Sequence, residues 1–452
     1  MATSTIDTAG RERHPRGLWV LAFTELWERF SYYGMMALLA LYMTKQLLQP
    51  GHAEKVWGLA ALRQFFEFRG PMSDIAFTSL VFGWYGGLVY FTPILGGLVA
   101  DRWLGTRRTV TLGAVLMAAG HLAMSLDQTF LIALLMLILG SGCLKGNITT
   151  QVGALYPAEA ESLRQRGYAI FSTGINVGAV IGPLVTAGVA AAYGWHAGFA
   201  VAAVLMLVAL AVYLAGGRYL PESRPARASA AAHLPPPEAG DRPRLIALAV
   251  IIGLLIPASV GFGMISGIGL IWIDRYVNLA TPAGAVPVGW FSSLDSLSSI
   301  LIAPCLILLW AWQARRQSEP SAITKIAIGS LLVALSSLIF AAGSALSPEP
   351  GTVPAVWALT GYLGMGVAFM WFWPPLLALI SNKAPARINS TMMGGAFLST
   401  FVGSVAGGWL GSFYDQMTPA AFWTINAAVP AAGGLLALLL HGPLQRGLRP
   451  AT

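Results

Sequence analysis

The sequence predicts an all-α polytopic membrane protein with twelve transmembrane helices arranged as two six-helix bundles. Three observations carry that prediction. Apolar residues make up 56% of the 452 and charged residues only 10%, against roughly 25% charged in an ordinary soluble protein, and the mean hydropathy is +0.67. Apolar stretches of about 20 residues, the length of a helix that crosses a bilayer, recur from Leu18 to His441. Basic residues concentrate in every second connection, as orientation in a membrane requires. This balance excludes a soluble enzyme, a disordered scaffold and a nucleic-acid binder, because the net charge of +8 lies in loops and forms no continuous basic face.

The spans follow in order. A polar tail, 1–17, precedes the first, Leu18–Leu47, which is too long and too rich in polar features to be a cleaved leader. The second and third, Ala76–Asp101 and Thr109–Leu126, are joined by a short charged turn. Phe130–Tyr156, Tyr168–Ala192 and Ala197–Leu220 complete the first set, so that 18–217 forms one bundle. The segment 218–244 contains RPARASAAAHLPPPEAGDRPR, whose prolines and charges preclude a span and predict a flexible cytoplasmic linker. Leu245–Val277, Trp290–Gln313, Ala322–Ala345, Val353–Asn382, Ser390–Tyr414 and Ala421–His441 form the second bundle, 245–441, ahead of a cytoplasmic tail, 442–452. Several spans exceed the bilayer thickness, which predicts tilt. Between Gln49 and Ser73, VWGLAALRQFFEFRG has apolar residues at helical spacing and reads as an interfacial helix.

The charges orient the chain. Of the 27 Lys and Arg residues, this topology places Lys45, Lys55, Arg63, Arg69 and Arg275 outside and Arg29 and Lys145 within spans; every other one falls inside. Both termini are therefore expected in the cytoplasm. Arginine far outnumbers lysine and alanine and glycine abound, which points to a high-GC bacterium and so to its inner membrane. Cys143 and Cys305 both sit in apolar segments and read as small core residues.

A charge at membrane depth needs a partner or a function. In FTELWERFSYYGMM, Glu25, Glu28 and Arg29 stand at i, i+3 and i+4 and share one helix face, which Tyr32 extends by a turn. The fourth span adds Lys145 in LGSGCLKGNITT and the fifth adds Asn176 in FSTGINVGAVIGP. Two acids and two bases neutralise one another if these helices meet around one cavity. The alternative is a fixed ion-pair cluster that only locks the helices. Asp295, in WFSSLDSLSSIL, is the one acid in the membrane region of the second half, either functional or an interfacial helix-start carboxylate. His121 reads as a hydrogen-bonded packing residue. Asp101, with Arg107 and Arg108, reads as a cytoplasmic hinge and gate, and Asp274 with Arg275 as the external cap of the seventh span. No Walker A loop, HExxH, paired-cysteine zinc pattern or GxSxG elbow occurs, so no cofactor or metal is expected. Transport driven by an ion gradient fits best.

Four motifs then resemble those of the proton-coupled oligopeptide transporters of the major facilitator superfamily. ELWERFSYYG is similar to an ExxERFxYYG signature on the first helix. YFTPILGGLVADRWLGTRR resembles the second helix and the loop motif, here Asp101, Arg102, Gly105, Arg107 and Arg108. LKGN resembles the fourth-helix lysine motif, and FSTGINVG the fifth-helix FYxxINxG signature. Weaker similarity continues through IWIDRYVN, GWFSSLDSL and NKAPARINSTMMG.

The resemblance implies a major facilitator fold and alternating access at a site between the bundles. Glu25, Glu28 and Lys145 would take part in proton coupling. Arg29 and Lys145 would hold the carboxylate of a di- or tripeptide, Tyr32, Tyr33 and Tyr90 would line the pocket, and Asn176 would bond the peptide backbone or amino end. The sequence also departs from the family. A common second-helix histidine is Gly83, the signature tyrosine is Ser172 and the LKPN proline is Gly146. The seventh-helix glutamate falls on Gly263, the tenth-helix glutamate on Phe369 and the eleventh-helix tryptophan on Ala396. Asp295, where asparagine is usual, would then take over the peptide ammonium. Expected partners are di- and tripeptides, protons and the lipid bilayer, with the chain a monomer and no nucleic acid. Two other readings stay open: a transporter of another small carboxylate or anionic metabolite, and a non-transporting sensor on the same scaffold.

Overall fold

The computed structural model describes residues 13–157, 159–221, 241–282, 284–385 and 388–448. Most of the tail 1–17, most of the linker 218–244 and residues 449–452 lie outside the described residues. The first half is built from α1 (Arg16–Tyr42), a short α2 (Leu59–Phe66), α3 (Asp74–Val99), α4 (Thr106–Ala123), α5 (Phe130–Ala154), α6 (Glu161–Tyr193) and α7 (Trp195–Ala215). The second half holds α8 (Arg242–Leu254), α9 (Ile256–Gly263), α10 (Ile268–Tyr276), α11 (Leu294–Arg315), α12 (Ala322–Leu346), α13 (Ala355–Lys383), α14 (Asn389–Gly411), α15 (Pro419–Leu439) and α16 (His441–Gly447).

Among the described residues, ten helices are long and apolar enough to cross a membrane. The other two expected spans are helical as well. Glu25, Glu28 and Arg29 lower the hydropathy of α1, and Arg107, Arg108 and His121 lower that of α4. The helix expected between Gln49 and Ser73 is α2, where Arg63 bonds both Glu67 and Asp74, at 3.0 and 2.8 Å. The bond from Arg63 holds the Glu67 carboxyl below its ordinary range. Two differences from expectation have physical causes. The seventh span is not one helix but α8, α9, a 3₁₀ turn at Met264–Ser266 and α10. Pro257 in the first turn of α9 cannot donate to the carbonyl four residues back, and Gly267 breaks the chain again. The tail after His441 is also not extended: α16 continues it as helix to Gly447.

The chain divides into two compact units, Met1–Leu38, Glu54–Gly58 and Phe91–Ser229 in one and Leu39–Ala53, Leu59–Tyr90 and Ala230–Thr452 in the other. Thus α1 and α3 each run from one unit into the other. Helices in membranes associate by close backbone approach at small residues, and the first unit is assembled that way. A Cβ on Gly174, Gly178 or Gly182 of α6 would lie 2.8, 2.4 and 2.4 Å from the Ala22, Leu26 and Phe30 carbonyl oxygens of α1. In α3, a Cβ on Gly96 would lie 2.1 Å from the Gly142 carbonyl oxygen of α5. Thr92 donates across the same seam to the Ile138 carbonyl at 3.0 Å, and Asn147 to that of Gly96 at 3.2 Å.

In the second unit, α12 packs against α13 and α15 around Trp272, Phe340 and Trp423, with Trp272 Nε1 donating to Ser344 Oγ at 2.9 Å. Ser298 and Ser299 tie α11 to α13 through the Leu363 and Gly366 carbonyls, at 2.6 and 2.9 Å. The first part of α3 lies against α14, where a Cβ on Gly83 would be 2.6 Å from Gly408 Cα. Asp274 and Arg275 do more than cap one helix. Lys45, in the π turn after α1, pairs with Asp274 at 2.6 Å, while Asp415 accepts from Ser73 at 2.7 Å and pairs with Arg275 at 3.4 Å. These pairs are partly exposed and each contributes about 0–1 kcal/mol.

The glycine seams should dominate stability. Gly142→Val forces a side chain against Thr92, 2.6 Å from its Cβ, at a cost of about 1–3 kcal/mol. Gly97→Ala, where an added Cβ meets nothing within 4 Å, serves as the control. A thermal unfolding series in detergent should show a lower midpoint for the first and no loss for the second. Equal midpoints would remove the seam argument.

Candidate functional site

The first unit brings Glu25, Glu28, Arg29, Tyr32, Tyr33 and Lys145 together. Arg29 grips Glu28 with two hydrogen bonds, from Nε to Oε2 and from Nη2 to Oε1, the latter at 2.6 Å. Glu25 Oε1 lies 3.2 Å from Arg29 Nε one helical turn away. The Glu28 side chain is fully buried and those of Glu25 and Arg29 are 5% exposed. A guanidinium suits this task because its planar fork serves two acceptors at once. Gly178 on α6 fixes the place of the fork, since a Cβ there would stand 3.0 Å from Arg29 Cβ.

Lys145 on α5 completes the group. It interacts electrostatically with Glu25, Glu28 and Arg29, and its Nζ sits 4.9 Å from the Tyr32 ring centroid. Arg29 approaches the same ring at 5.3 Å, so both cations share Tyr32, each favoured by the negative ring face. Tyr33 packs edge-on to Tyr32 at 5.2 Å and also faces Arg29. Two carboxylates and two cations sum to zero formal charge. One atom in the group is left over: buried Glu25 Oε2 has no hydrogen-bond partner among the described residues.

Other marked residues fall elsewhere. Asn176 is exposed on α6 two residues before Gly178 and makes no hydrogen bond among the described residues. Tyr90, half-buried on α3, and Asp295 belong to the second unit. Asp295 is half-buried in the first turn of α11, held by Ser296; it has no cationic partner among the described residues. In the π turn Ala100–Leu104, Asp101 is exposed and unpaired among the described residues. Gly105, at φ 74°, caps α4 in a conformation that favours glycine. Arg102 and Arg108 are exposed, and a Cβ on Gly217 would lie 2.2 Å from Arg107 Nη2, so Arg107 packs on the end of α7. His121 is fully buried with neither ring nitrogen hydrogen-bonded among the described residues, which corrects its expected hydrogen-bonded role to one of packing.

Sequence reasoning passed over Asn147, which ties the lysine-bearing helix to α3, and the glycines that seat α1. The GxxxGxxxG spacing at Gly174, Gly178 and Gly182 was the available signal. Gly83 also acquires a reason: a histidine there would need space that Gly408 occupies.

Known proteins match the chain over nearly its whole length. The family model described as PTR2, POT family, matches residues 107–233 and 239–426. A peptide transporter of Yersinia enterocolitica is 28% identical over 526 residues, covering 99% of this chain and 98% of that protein. A di-/tripeptide transporter of Lactococcus lactis is 28% identical over 510 residues, covering 96% of each. Among solved structures, a variant of the peptide transporter POT in complex with alafosfalin superposes with a TM-score of 0.82 at 26% identity, covering 98% of each chain.

Removing Arg29 should be worse than removing the acids with it. Arg29→Met leaves two buried carboxylates beside one lysine, a loss of about 3–5 kcal/mol if they stay charged. Folded yield in detergent, followed by size-exclusion chromatography, should collapse in this variant and recover partly when Glu28→Gln is added. Normal yield in Arg29→Met alone would show that the cluster does not hold the helices.

Proposed function

The chain belongs to the POT family, whose members are transporters and not enzymes, and from that membership we propose that it takes up di- and tripeptides together with protons by alternating access. The related proteins named as peptide and di-/tripeptide transporters support this substrate class. The observation that carries the reading is the neutral cluster of Glu25, Glu28, Arg29 and Lys145 around Tyr32.

Charge counting gives the coupling. At membrane depth an unbalanced charge is costly. When a peptide carboxylate binds Arg29 and Lys145, the cluster gains one negative charge, and one proton on Glu25 or Glu28 restores the balance. Glu25 is the better placed, because its Oε2 is buried without a donor among the described residues. When the peptide leaves, the cations return to both acids and the proton is released. A proton descending roughly 150 mV supplies about 3.5 kcal/mol, enough for a few hundredfold accumulation.

The remaining residues take supporting roles. Tyr32, Tyr33 and Tyr90 offer apolar rings with polar tips, which suit variable side chains. Exposed Asn176 bonds the peptide backbone or amino end, and Asp295 takes the ammonium. Asp101, Arg102, Gly105, Arg107 and Arg108 form the cytoplasmic turn that governs movement of the two halves, 18–217 and 245–441, joined by 218–244. Both termini face the cytoplasm of a bacterial cell, and the chain works as a monomer in the inner membrane. The absence of acids at Gly263 and Phe369 keeps one rival in view, a transporter of another small carboxylate.

Purified protein in liposomes with an imposed pH gradient tests the reading. Lys145→Ala should abolish concentrative uptake of labelled dialanine, with counterflow exchange retained. Accumulation at the normal rate would refute the coupling role. Asp295→Asn should weaken competition by free-amine dipeptides about tenfold to a hundredfold, or about 1–3 kcal/mol, and leave amino-blocked analogues nearly unchanged. Equal losses for both would make Asp295 structural, and wild-type competition by blocked analogues themselves would favour the rival.

A further inference from the structure

Where the second unit lacks acids it carries rings in mutual contact. Phe262 of α9 lies 5.5 Å from Phe369 of α13, Phe369 stacks on Trp373 at 6.3 Å, and Trp373 meets Phe397 of α14 at 5.8 Å. Three helices contribute to this ladder, so it is not a by-product of one helix face. Its rings are not sealed in the core. Phe262, Phe369 and Trp373 are half-buried and Phe397 is 36% exposed, whereas neighbouring Phe372 is 2% exposed. Beside Phe262, a Cβ on Gly263 would meet nothing within 4 Å, and the same holds for Gly394 near Phe397. The ladder therefore borders open space. No Asp, Glu, Lys or Arg occurs between Leu245 and Ile273, between Ala355 and Asn382, or between Ser390 and Tyr414.

The ladder also has a fixed relation to Asp295. Tyr362, Gly366, Phe369 and Trp373 stand at i, i+4, i+7 and i+11 along α13 and share one stripe. The Asp295 backbone packs onto that stripe at Gly366, where a Cβ would be 2.0 Å from the Asp295 carbonyl oxygen. Phe369 follows Gly366 by three residues along that stripe, a rise of about 4.5 Å.

We propose that this stripe recognises the first residue of the peptide, with its ammonium at Asp295 and an aromatic or large apolar side chain on Phe369, Trp373 and Phe397. The proposal rests on the peptide-transport reading and narrows it: the substrate class is peptides with an apolar ring at the amino end. The apolar surface contributes what a second carboxylate at Gly263 or Phe369 would otherwise supply to binding. Those rings exclude water and disfavour a charged first side chain.

The test is competition against labelled dialanine uptake in proteoliposomes by Phe-Ala, Ala-Phe, Lys-Ala and unlabelled Ala-Ala. In the wild type, Phe-Ala should compete at a concentration at least tenfold lower than Ala-Ala and clearly lower than Ala-Phe, with Lys-Ala weakest. In Phe369→Ala and in Phe397→Ala, the ratio of Ala-Ala to Phe-Ala should fall to within about twofold. The second variant alters an exposed ring and guards against misfolding of the first. Dialanine uptake with no preference for Phe-Ala, or a wild-type ratio in both variants, overturns the ladder alone. Absence of all dipeptide uptake overturns the transport reading, and this proposal with it.

Discussion

Two carboxylates buried on one turn of a membrane helix can persist only if cations are brought to them. That constraint organises the first unit. Arg29 supplies the near half of the compensation from the same helix, through two bonds to Glu28 and a contact to Glu25. Lys145 supplies the rest from α5. A neutral cluster at this depth is tolerable, while any single member left alone is not. In the proposed coupling, the same arithmetic makes the cluster responsive, because an added anion is matched by one proton. A set of apolar residues would hold these helices equally well and would respond to nothing.

Charge balance needs helices close enough to share their charges, and glycine provides this. Gly174, Gly178 and Gly182 let the α6 backbone touch that of α1, and Gly96 lets α3 touch α5. Bonds from Thr92 and Asn147 fix the rotation of α5, on which Lys145 is carried. With no water to drive apolar association within the bilayer, close packing and such bonds are what remain. The abundance of glycine is therefore part of the electrostatic device and not a sign of looseness.

The second unit solves a different problem. Its helices carry almost no charge at depth, and its contacts are rings: Trp272, Phe340 and Trp423 in the core, and Phe262, Phe369, Trp373 and Phe397 toward open space. Asp295 is the exception, held where α11 crosses α13. The chain thus gathers buried ionic groups in the first unit and partly exposed rings in the second.

The sequence by itself determined the membrane class, the order of the spans, and the candidate residues, because hydropathy and membrane-embedded charge are local properties of the chain. The i, i+3, i+4 spacing of Glu25, Glu28 and Arg29 placed three groups on one face before any fold was known. It could not determine that Lys145 and Arg29 share the Tyr32 ring, since nothing in LKGN encodes the rotation of α5; Thr92, Asn147 and the glycine seam set it. Nor could it show that Asp101 is unpaired and His121 without a hydrogen-bond partner among the described residues, or that the seventh span breaks into three helices. Each of those depends on what a second helix places opposite the residue or, at Pro257, on whether packing keeps a broken helix straight. Phe369 shows the division most clearly: the sequence marked it only as a missing glutamate. Tertiary structure made it the middle of a ladder, because Phe262 and Trp373 meet it only once α9 packs against α13 and α13 itself has coiled.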